Sequence, residues 1–544
     1  MELNRRTFLK IIPAAFLSAN TFRVYGEHKM AKPNIVVIMA DDMGYSDLGC
    51  YGGEISTPNI DRLAAEGLRF RNFYTAARCC PTRASLLTGQ YSHKVGMGWM
   101  TGADLGTESY SGELSDDCVT VADALKGCGY KTYMCGKWHV TRDDNIHPGG
   151  DKSSWPIQRG FDHFYGHLSG SGSYYDPRDL VRDNDFIAPD GEFYMTENVT
   201  EQANSYLLDH FKQAGESPFF MYLAYYAPHR PLQVSEKYYE KYVGKYLKGW
   251  DVLREERFER QKKLGLIDVD AELSPKSLSP RNGIEIPDWD KIPEVERVLW
   301  DKRMAVYAGQ IECMDNGIGQ ILDTLNSAGE LDNTLIMFLS DNGGCAEITG
   351  QGTPEIIGSP LSDESYRANW ANVSNTPYRF YKQNIYEGGI IAPFIVRWPG
   401  KTAGRGGYCD EVGHVIDILP TCVDAAGGRL KPADAGKIDG MSLLPVFKGG
   451  KIEKRPLYWE HEANRGVRAG SWKLVSNSVT DEPYIMPWEL YNLEEDPTEI
   501  YDLADKYNNK KMQLVGMWNK WANDNEVFPL DGSDWNSRVK KSVR

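Results

Sequence analysis

A chain of 544 residues, 41% hydrophobic and 25% charged, has ample apolar material for a large core and none of the bias of a disordered or fibrous protein. A formal net charge of −15 speaks against a broadly basic surface for nucleic acid. Ten cysteines are too sparse for a disulfide scaffold. Cys50, Cys118, Cys128, Cys135, Cys313, Cys345, Cys409 and Cys422 lack metal-type spacing and read mostly as small buried apolar residues.

The chain opens with MELNRRTFLKIIPAAFLSAN. Arg5 and Arg6 precede Phe8, Leu9 and Lys10, and the apolar run at 11–19 is too short to span a bilayer. Residues 1–27 therefore read as an export signal of the twin-arginine type, with an ordinary secretory signal as the alternative. The mature protein is expected to be periplasmic or secreted and not membrane-embedded.

From residue 33 strands alternate with helices. Residues 34–40 (NIVVIMA) form a short, β-branched apolar run, hence a buried strand. Thr57-Pro58 opens a helix with Ile60, Leu63 and Leu68 on its apolar side. A helix at 121–125 and a strand at 131–134 follow, then a strand at 219–226 that runs into Ala227-Pro228-His229. Residues 246–302 are highly charged, with WDVLREERFERQKK near the start, and read as a solvated helical insertion. An amphipathic helix at 304–325 and strands at 334–340 and 393–397 complete an α/β pattern, a parallel or mixed sheet covered on both faces. Around residues 428–455 the pattern loosens into Gly, Pro and Lys. Strands at 457–461, 466–475 and 489–493 and a helix at 512–522 suggest a small C-terminal α+β domain. The expected division is 28–432 and 433–544.

Two strands end in acidic residues, Asp41 and Asp42 after the first and Asp341 and Asn342 after the strand at 334–340. Ligands of open α/β sheets gather at such carboxyl ends. Three carboxylates and an amide form a hard oxygen set suited to Ca²⁺, with Mg²⁺ as a second choice. Zn²⁺ suits it less, since the set offers neither histidine nor thiolate. Taken singly, each pair is equally a turn or a helix cap. Lys137 and His139 lie two apart in Gly136-Lys137-Trp138-His139 and can face one way from an extended stretch. His229 and Lys382, singly, read as a hydrogen-bonded histidine and an exposed lysine.

The run RCCPTRASLLTGQ at 78–90 changes the weight of these motifs. Cys79, Pro81, Thr82 and Arg83 with the Leu-Leu-Thr-Gly tail resemble the maturation signature of the type I, formylglycine-dependent sulfatases. Gly136-Lys137-Trp138-His139, Ala227-Pro228-His229 and the lysine ahead of Glu387-Gly388-Gly389 resemble further motifs of that family, in family order. RGFDHFYG at 159–166, GSGSYYDPRDLVRDN at 170–184 and LYWEHEANRGVRAGSWKLV at 457–475 resemble its arylsulfatase-like subgroup. Two departures are Gln90, where the family often has arginine, and Thr82 in place of the commoner serine.

The resemblance implies an alkaline-phosphatase-like fold, a large mixed sheet sandwiched by helices with a small C-terminal domain. It implies a sulfuric ester hydrolase in which a maturation enzyme oxidises Cys79 to formylglycine. The hydrated aldehyde has two hydroxyls, one to attack sulfur and one whose deprotonation expels sulfate, an exit that a serine lacks. Arg83, one helical turn on, and Lys137 and Lys382 would hold diol and sulfate oxygens. His139 would touch the second hydroxyl and His229 would face the leaving oxygen. One Ca²⁺ per chain would sit on Asp41, Asp42, Asp341, Asn342 and the oxygen derived from Cys79. The expected substrate is a sulfated carbohydrate, algal polysaccharide or host glycan, with aryl sulfates as test compounds and pocket loops including Asp176, Arg178, Glu460, His461 and Arg465. Two alternatives stay open: a phosphate or phosphonate ester hydrolase on the same fold, and a non-catalytic glycan-binding relative in which Cys79 is unconverted.

Overall fold

The computed structural model describes residues 32–215, 217–277, 285–478, 484–533 and 535–542. The expected export signal at 1–27 lies outside them. A ten-stranded mixed sheet forms the frame. Its centre is five consecutive parallel strands, in the order Thr334–Ser340, Asn34–Ala40, Phe219–Ala224, Lys131–Lys137 and His163–His167. Phe394–Arg397 joins one side antiparallel and Leu180–Arg182 the other.

All seven residues of Asn34–Ala40 are buried, because the strand has a neighbour on each side and helices on each face. Alternation divides it between two cores. Val36, Ile38 and Ala40 pack toward the long helices Met195–Gln213 and Glu294–Ser327. Ile35, Val37 and Met39 pack toward Cys79–Thr88, Val121–Gly127 and Ile418–Ala425. No helix among the described residues is long and apolar enough to cross a membrane. All ten cysteines are free, and all but the half-buried Cys128 are buried.

Several expectations shift in detail. The helix opened by Pro58 ends at Glu66, and Leu68 belongs to the strand after Gly67. The strand from Lys131 runs on to Lys137, and that from Phe219 stops at Ala224. Residues 466–475 are not one strand: the chain turns at Gly470 (φ +66°) and Asn464–Ala469 pairs antiparallel with Trp472–Ser476. The charged insertion is not simply solvated either. Its helix Trp250–Leu264 buries Trp250, Leu253, Arg254, Arg257, Phe258 and Gln261. Arg257 is fully buried between Asp47 at 2.7 Å and Glu54 at 2.8 Å. A charge pattern cannot tell such internal pairs from a wet surface.

The distinct small C-terminal unit is a four-stranded antiparallel sheet, Leu457–His461, Asn464–Ala469, Trp472–Ser476 and Glu489–Asn492, backed by the helix Asn508–Asp524. It is tied to the large sheet by buried polar contacts. Trp459 donates its indole N–H to the Thr75 carbonyl at 2.7 Å. Lys473 forms ion pairs at 2.7 Å with Glu387 and with Glu499. Burial, reinforced by Glu387 and opposed by Lys473, raises the pKa of Glu499 to about 7.

Folded Glu499 therefore keeps a proton that an unfolded glutamate releases near pH 4.3. Over the window from there to about pH 7 the native state binds more protons, so this group's contribution to stability falls as pH rises. Glu499→Gln should flatten the decline of denaturant-unfolding free energy across that window. An unchanged slope would show that Glu499 titrates normally.

Candidate active site

The carboxyl ends of the five parallel strands converge on one point. Asp341 and Asn342 leave Ser340, Asp41 and Asp42 leave Ala40, and His229 follows five residues after Ala224. Lys137 ends its strand opposite His167. Cys79 enters from above as the first residue of the helix Cys79–Thr88, every residue of which is buried. Thr82 accepts a hydrogen bond from the Ala76 amide at 2.9 Å, so its hydroxyl fixes the approach to the helix. Gln90 is buried behind it.

The backbone is bent to deliver these groups. Asp42 (φ +63°) and His139 (φ +54°) both occupy the left-handed region, uncommon away from glycine and concentrated at functional sites. Gly136 (φ +111°) lets the strand turn; a Cβ there would lie 1.9 Å from the Ala224 carbonyl oxygen. Gly170 gives room to the His139 ring, whose Nε2 is 2.3 Å from where its Cβ would be.

Charges are then locked in pairs. Arg83 donates to Asp341 Oδ2 at 2.9 Å and to the Lys137 carbonyl at 2.8 Å, and lies 3.3 Å from Asp41 Oδ2. Lys137 Nζ hydrogen-bonds Asp41 and Lys382 Nζ lies 2.8 Å from Asp42 Oδ1. All six of these side chains are nearly or wholly inaccessible. Burial and the neighbouring Asp341 push Asp41 well above the usual carboxylate range, with Lys137 and Arg83 opposing. Burial likewise raises Asp341.

These residues fit a bound cation. Asp41 Oδ1 and Asn342 Oδ1 are buried oxygens with no hydrogen-bond partner. Buried polar atoms are seldom left so. Donor atoms of Asp41, Asp42 and His229 lie within 4.8 Å of one another, a buried acidic and histidine cluster suited to a metal. Beside this oxygen set the fold brings His229 close to Asp42, Nε2 to Oδ2 at 3.4 Å, and groups Cys79, Cys80 and His139 within 4.8 Å. Spacing along the chain does not show these distances, since the groups lie far apart in sequence; the resemblance alone implied that they meet.

The Cys79 thiol is held well below its ordinary pKa by a hydrogen bond from Cys80, against burial, with help from His139, Lys382 and Lys137. The Cys80 sulfur also lies 3.4 Å from the Met100 sulfur. Burial lowers the pKa of His139, and burial with Lys137, Lys382 and Arg230 lowers that of His229 further. His229 Nδ1 is 2.6 Å from the Arg230 carbonyl oxygen, so Nδ1 carries the proton of the neutral ring.

A cavity of 660 Å³ opens over Cys79, His139, His229 and Lys382. Its walls include Arg78, Arg230, Glu347, Asp143, Gln383, Glu462 and Asn536. Burial would raise Glu347, but Arg78, Lys382 and Arg230 outweigh it and hold its pKa at about 2. The sequence reading missed these wall residues. Arg78 and Arg230 adjoin Cys79 and His229, a usable signal; Glu347 and Asn536 gave none. Conversely, Asp176, Arg178, Glu460, His461 and Arg465 do not line the cavity. Glu460 is committed to His93 at 2.9 Å and to the Ala463 amide, His461 is fully buried, and Arg465 stacks on Trp488.

This fold is that of the sulfatases. The sulfatase family model matches residues 33–428, and the C-terminal model of N-sulphoglucosamine sulphohydrolase matches 377–523. The chain belongs to the sulfatase family and is a hydrolase of sulfate esters. It is 35% identical over 423 residues to an arylsulfatase of Klebsiella aerogenes, covering 73% of this chain and 87% of that one. It is 34% identical over 535 residues to an uncharacterised sulfatase of Schizosaccharomyces pombe, covering 90% and 93%. The crystal structure of Ps i-CgsB in complex with k-i-k-neocarrahexaose superposes with a TM-score of 0.65 at 24% identity, covering 94% of this chain and 98% of that one.

A cation that binds only the folded site stabilises it by about 2.7 kcal/mol at a hundredfold excess over Kd. Calorimetry should therefore show a higher unfolding midpoint with millimolar divalent cation than with chelator. In Asp341→Ala the two midpoints should coincide.

Proposed function

We propose that the nucleophile is formylglycine made from Cys79, that the cation is a single Ca²⁺, and that the substrate is a sulfated carbohydrate. The convergence of Cys79, three cationic side chains and four oxygen-bearing ligand residues at one set of strand ends carries the reading. After oxidation by a maturation enzyme, Cys79 would supply a hydrated aldehyde, one hydroxyl attacking sulfur and the other losing its proton as sulfate departs. Asp41, Asp42, Asp341 and Asn342 would hold the Ca²⁺, which screens sulfate from the carboxylates.

The chain's own side chains do the rest. Arg83, Lys137 and Lys382 balance the three aspartates before any cation enters, so a divalent ion leaves the centre positive although the protein is acidic. Preorganised charge of this kind is usually the largest catalytic contribution. His139, bent in beside Cys79 with Nδ1 unpartnered, is placed to accept a proton as sulfate leaves. His229 can give a proton to the leaving alcohol only from Nε2, since Nδ1–H is engaged by Arg230. That requires the imidazolium, which burial and the neighbouring Lys137, Lys382 and Arg230 disfavour and an anionic sulfate ester favours. Substrate binding and acid loading are thereby linked.

The polar walls support a sugar as leaving group, since carboxylate, guanidinium and amide groups at fixed positions suit hydroxyls. The structure of Ps i-CgsB with a neocarrahexaose supports the same class of ligand. The proposed division into a catalytic unit at 28–432 and a C-terminal one at 433–544, and a periplasmic or secreted location, belong to this reading.

Intact mass of the matured protein should fall about 18 Da below the value expected with an unmodified cysteine. Cys79→Ser should bind sulfate esters yet show no steady turnover, and sustained turnover by that variant would refute the two-hydroxyl mechanism. Sulfate and phosphate esters of one phenol, compared side by side, should favour sulfate.

His229→Ala should cost about 10²–10⁴-fold on sugar sulfates, whose alkoxide is a poor leaving group. Its effect on 4-nitrophenyl sulfate should be far smaller. Equal losses on both would remove His229 from the role of acid.

A further inference from the structure

One wall of the cavity comes from the far end of the chain. Asn536, on the helix Trp535–Ser542, lines it together with Glu462 and Gln383. Both family models stop short of this helix, at residues 428 and 523. Asn536 thus lies outside the residues that the two models match, whereas Gln383 and Glu462 lie within the second.

The helix is seated by Arg538, which is 1% exposed. Its guanidinium lies 5.2 Å above the Trp99 ring, its Nε donates to the Ser533 carbonyl at 3.1 Å, and its Nη2 donates to the Asp531 carbonyl. Val539 packs against the core that includes Cys79, Trp99 and Met100. Trp99 in turn donates its indole N–H to Glu462 Oε1 at 3.0 Å, and Gln383 reaches Glu462 Oε2 at 3.5 Å. Gln383 adjoins Lys382. A continuous set of contacts thus joins the terminal helix to the wall beside the lysine that pairs with Asp42.

We propose that the Trp535–Ser542 helix is a specificity element. Asn536, with Glu462 and Gln383, hydrogen-bonds hydroxyls of the sugar residue that carries the sulfate. Arg538 is a positioning residue that seats the helix through Trp99. The inference rests on the sulfated-sugar reading given above and adds the residues that recognise the sugar. Glu462, held by Trp99 and Gln383, offers an acceptor at a fixed position beside the Gln383 amide, Asn536 adds a second amide at the same wall, and a substrate lacking the matching hydroxyls gains nothing from them.

The test uses full-length, matured protein, wild type, Asn536→Ala, Arg538→Ala and Arg538→Lys. Substrates are 4-nitrophenyl sulfate and the 6-sulfates of glucose, galactose, N-acetylglucosamine and N-acetylgalactosamine. For the best sugar, Asn536→Ala should lower kcat/KM relative to the aryl ester by about 10-fold, mainly through KM, as expected for loss of one polar contact. Arg538→Ala should shift the ratio in the same direction, and Arg538→Lys, which keeps a cation over Trp99, should restore part of it. Asn536 is exposed, so its variant reads out the wall even if Arg538→Ala does not fold. A proportional loss on both substrate types, or no loss on either, overturns the role of the helix while leaving the sulfatase mechanism intact. Wild-type turnover of the aryl ester with none of the sugars overturns it too. A matured wild type inactive on every sulfate ester overturns the underlying mechanism and this inference together.

Discussion

Asp41, Asp42 and Asp341 sit within one buried cluster at the ends of adjacent parallel strands, and there desolvation and like charges push Asp41 and Asp341 above the usual carboxylate range. Arg83 from the Cys79 helix, Lys137 from one strand end and Lys382 from a loop are each placed against one of these carboxylates. Removing any one partner would leave a buried charge uncompensated, which is costly. The positions of the helix, the strand end and the loop are therefore mutually dependent, and with them the position of the Cys79 thiol.

The same constraint explains where the backbone departs from easy conformations. A regular strand would carry Lys137 and His139 past the cluster. Gly136 and the left-handed His139 turn the chain back toward Cys79, and the left-handed Asp42 brings its carboxylate to Lys382 and Asn342. Such conformations persist only where the surroundings over-determine them. Here five parallel strands, packed on both faces by apolar side chains, supply that rigidity.

The small C-terminal sheet takes part in the same support. Lys473 reaches out of it to Glu387, five residues beyond Lys382, and Glu499 accepts the Glu387 amide at 2.8 Å. Tyr74, near the start of the Cys79 helix, donates to the other oxygen of Glu387 at 2.6 Å. A polar junction between two sheets thus lies behind the loop that presents Lys382, and the unit that carries it also contributes Glu462 to the cavity wall.

Much of this was legible in the residues themselves. A strand such as Asn34–Ala40 announces itself because burial on both faces demands an unbroken apolar run, and the charged residues directly after it must then lie at its carboxyl end. Cys79, Arg83, Lys137, His139, His229 and Lys382 stand out as candidates because each sits in a short local motif. What local sequence could not convey was which distant groups meet: His229 with Asp42, Glu347 between Arg78 and Arg230, Asn536 over the cavity. The charged helix Trp250–Leu264 failed as a surface element for the same reason, since the partners that neutralise Arg257 lie some two hundred residues earlier. The sequence by itself determined the chemistry on offer, because reactive side chains and strand propensity are local properties. Only the tertiary structure decided which charges are paired, which oxygens are left without partners and which loops wall the cavity, because those depend on contacts between segments far apart in the chain.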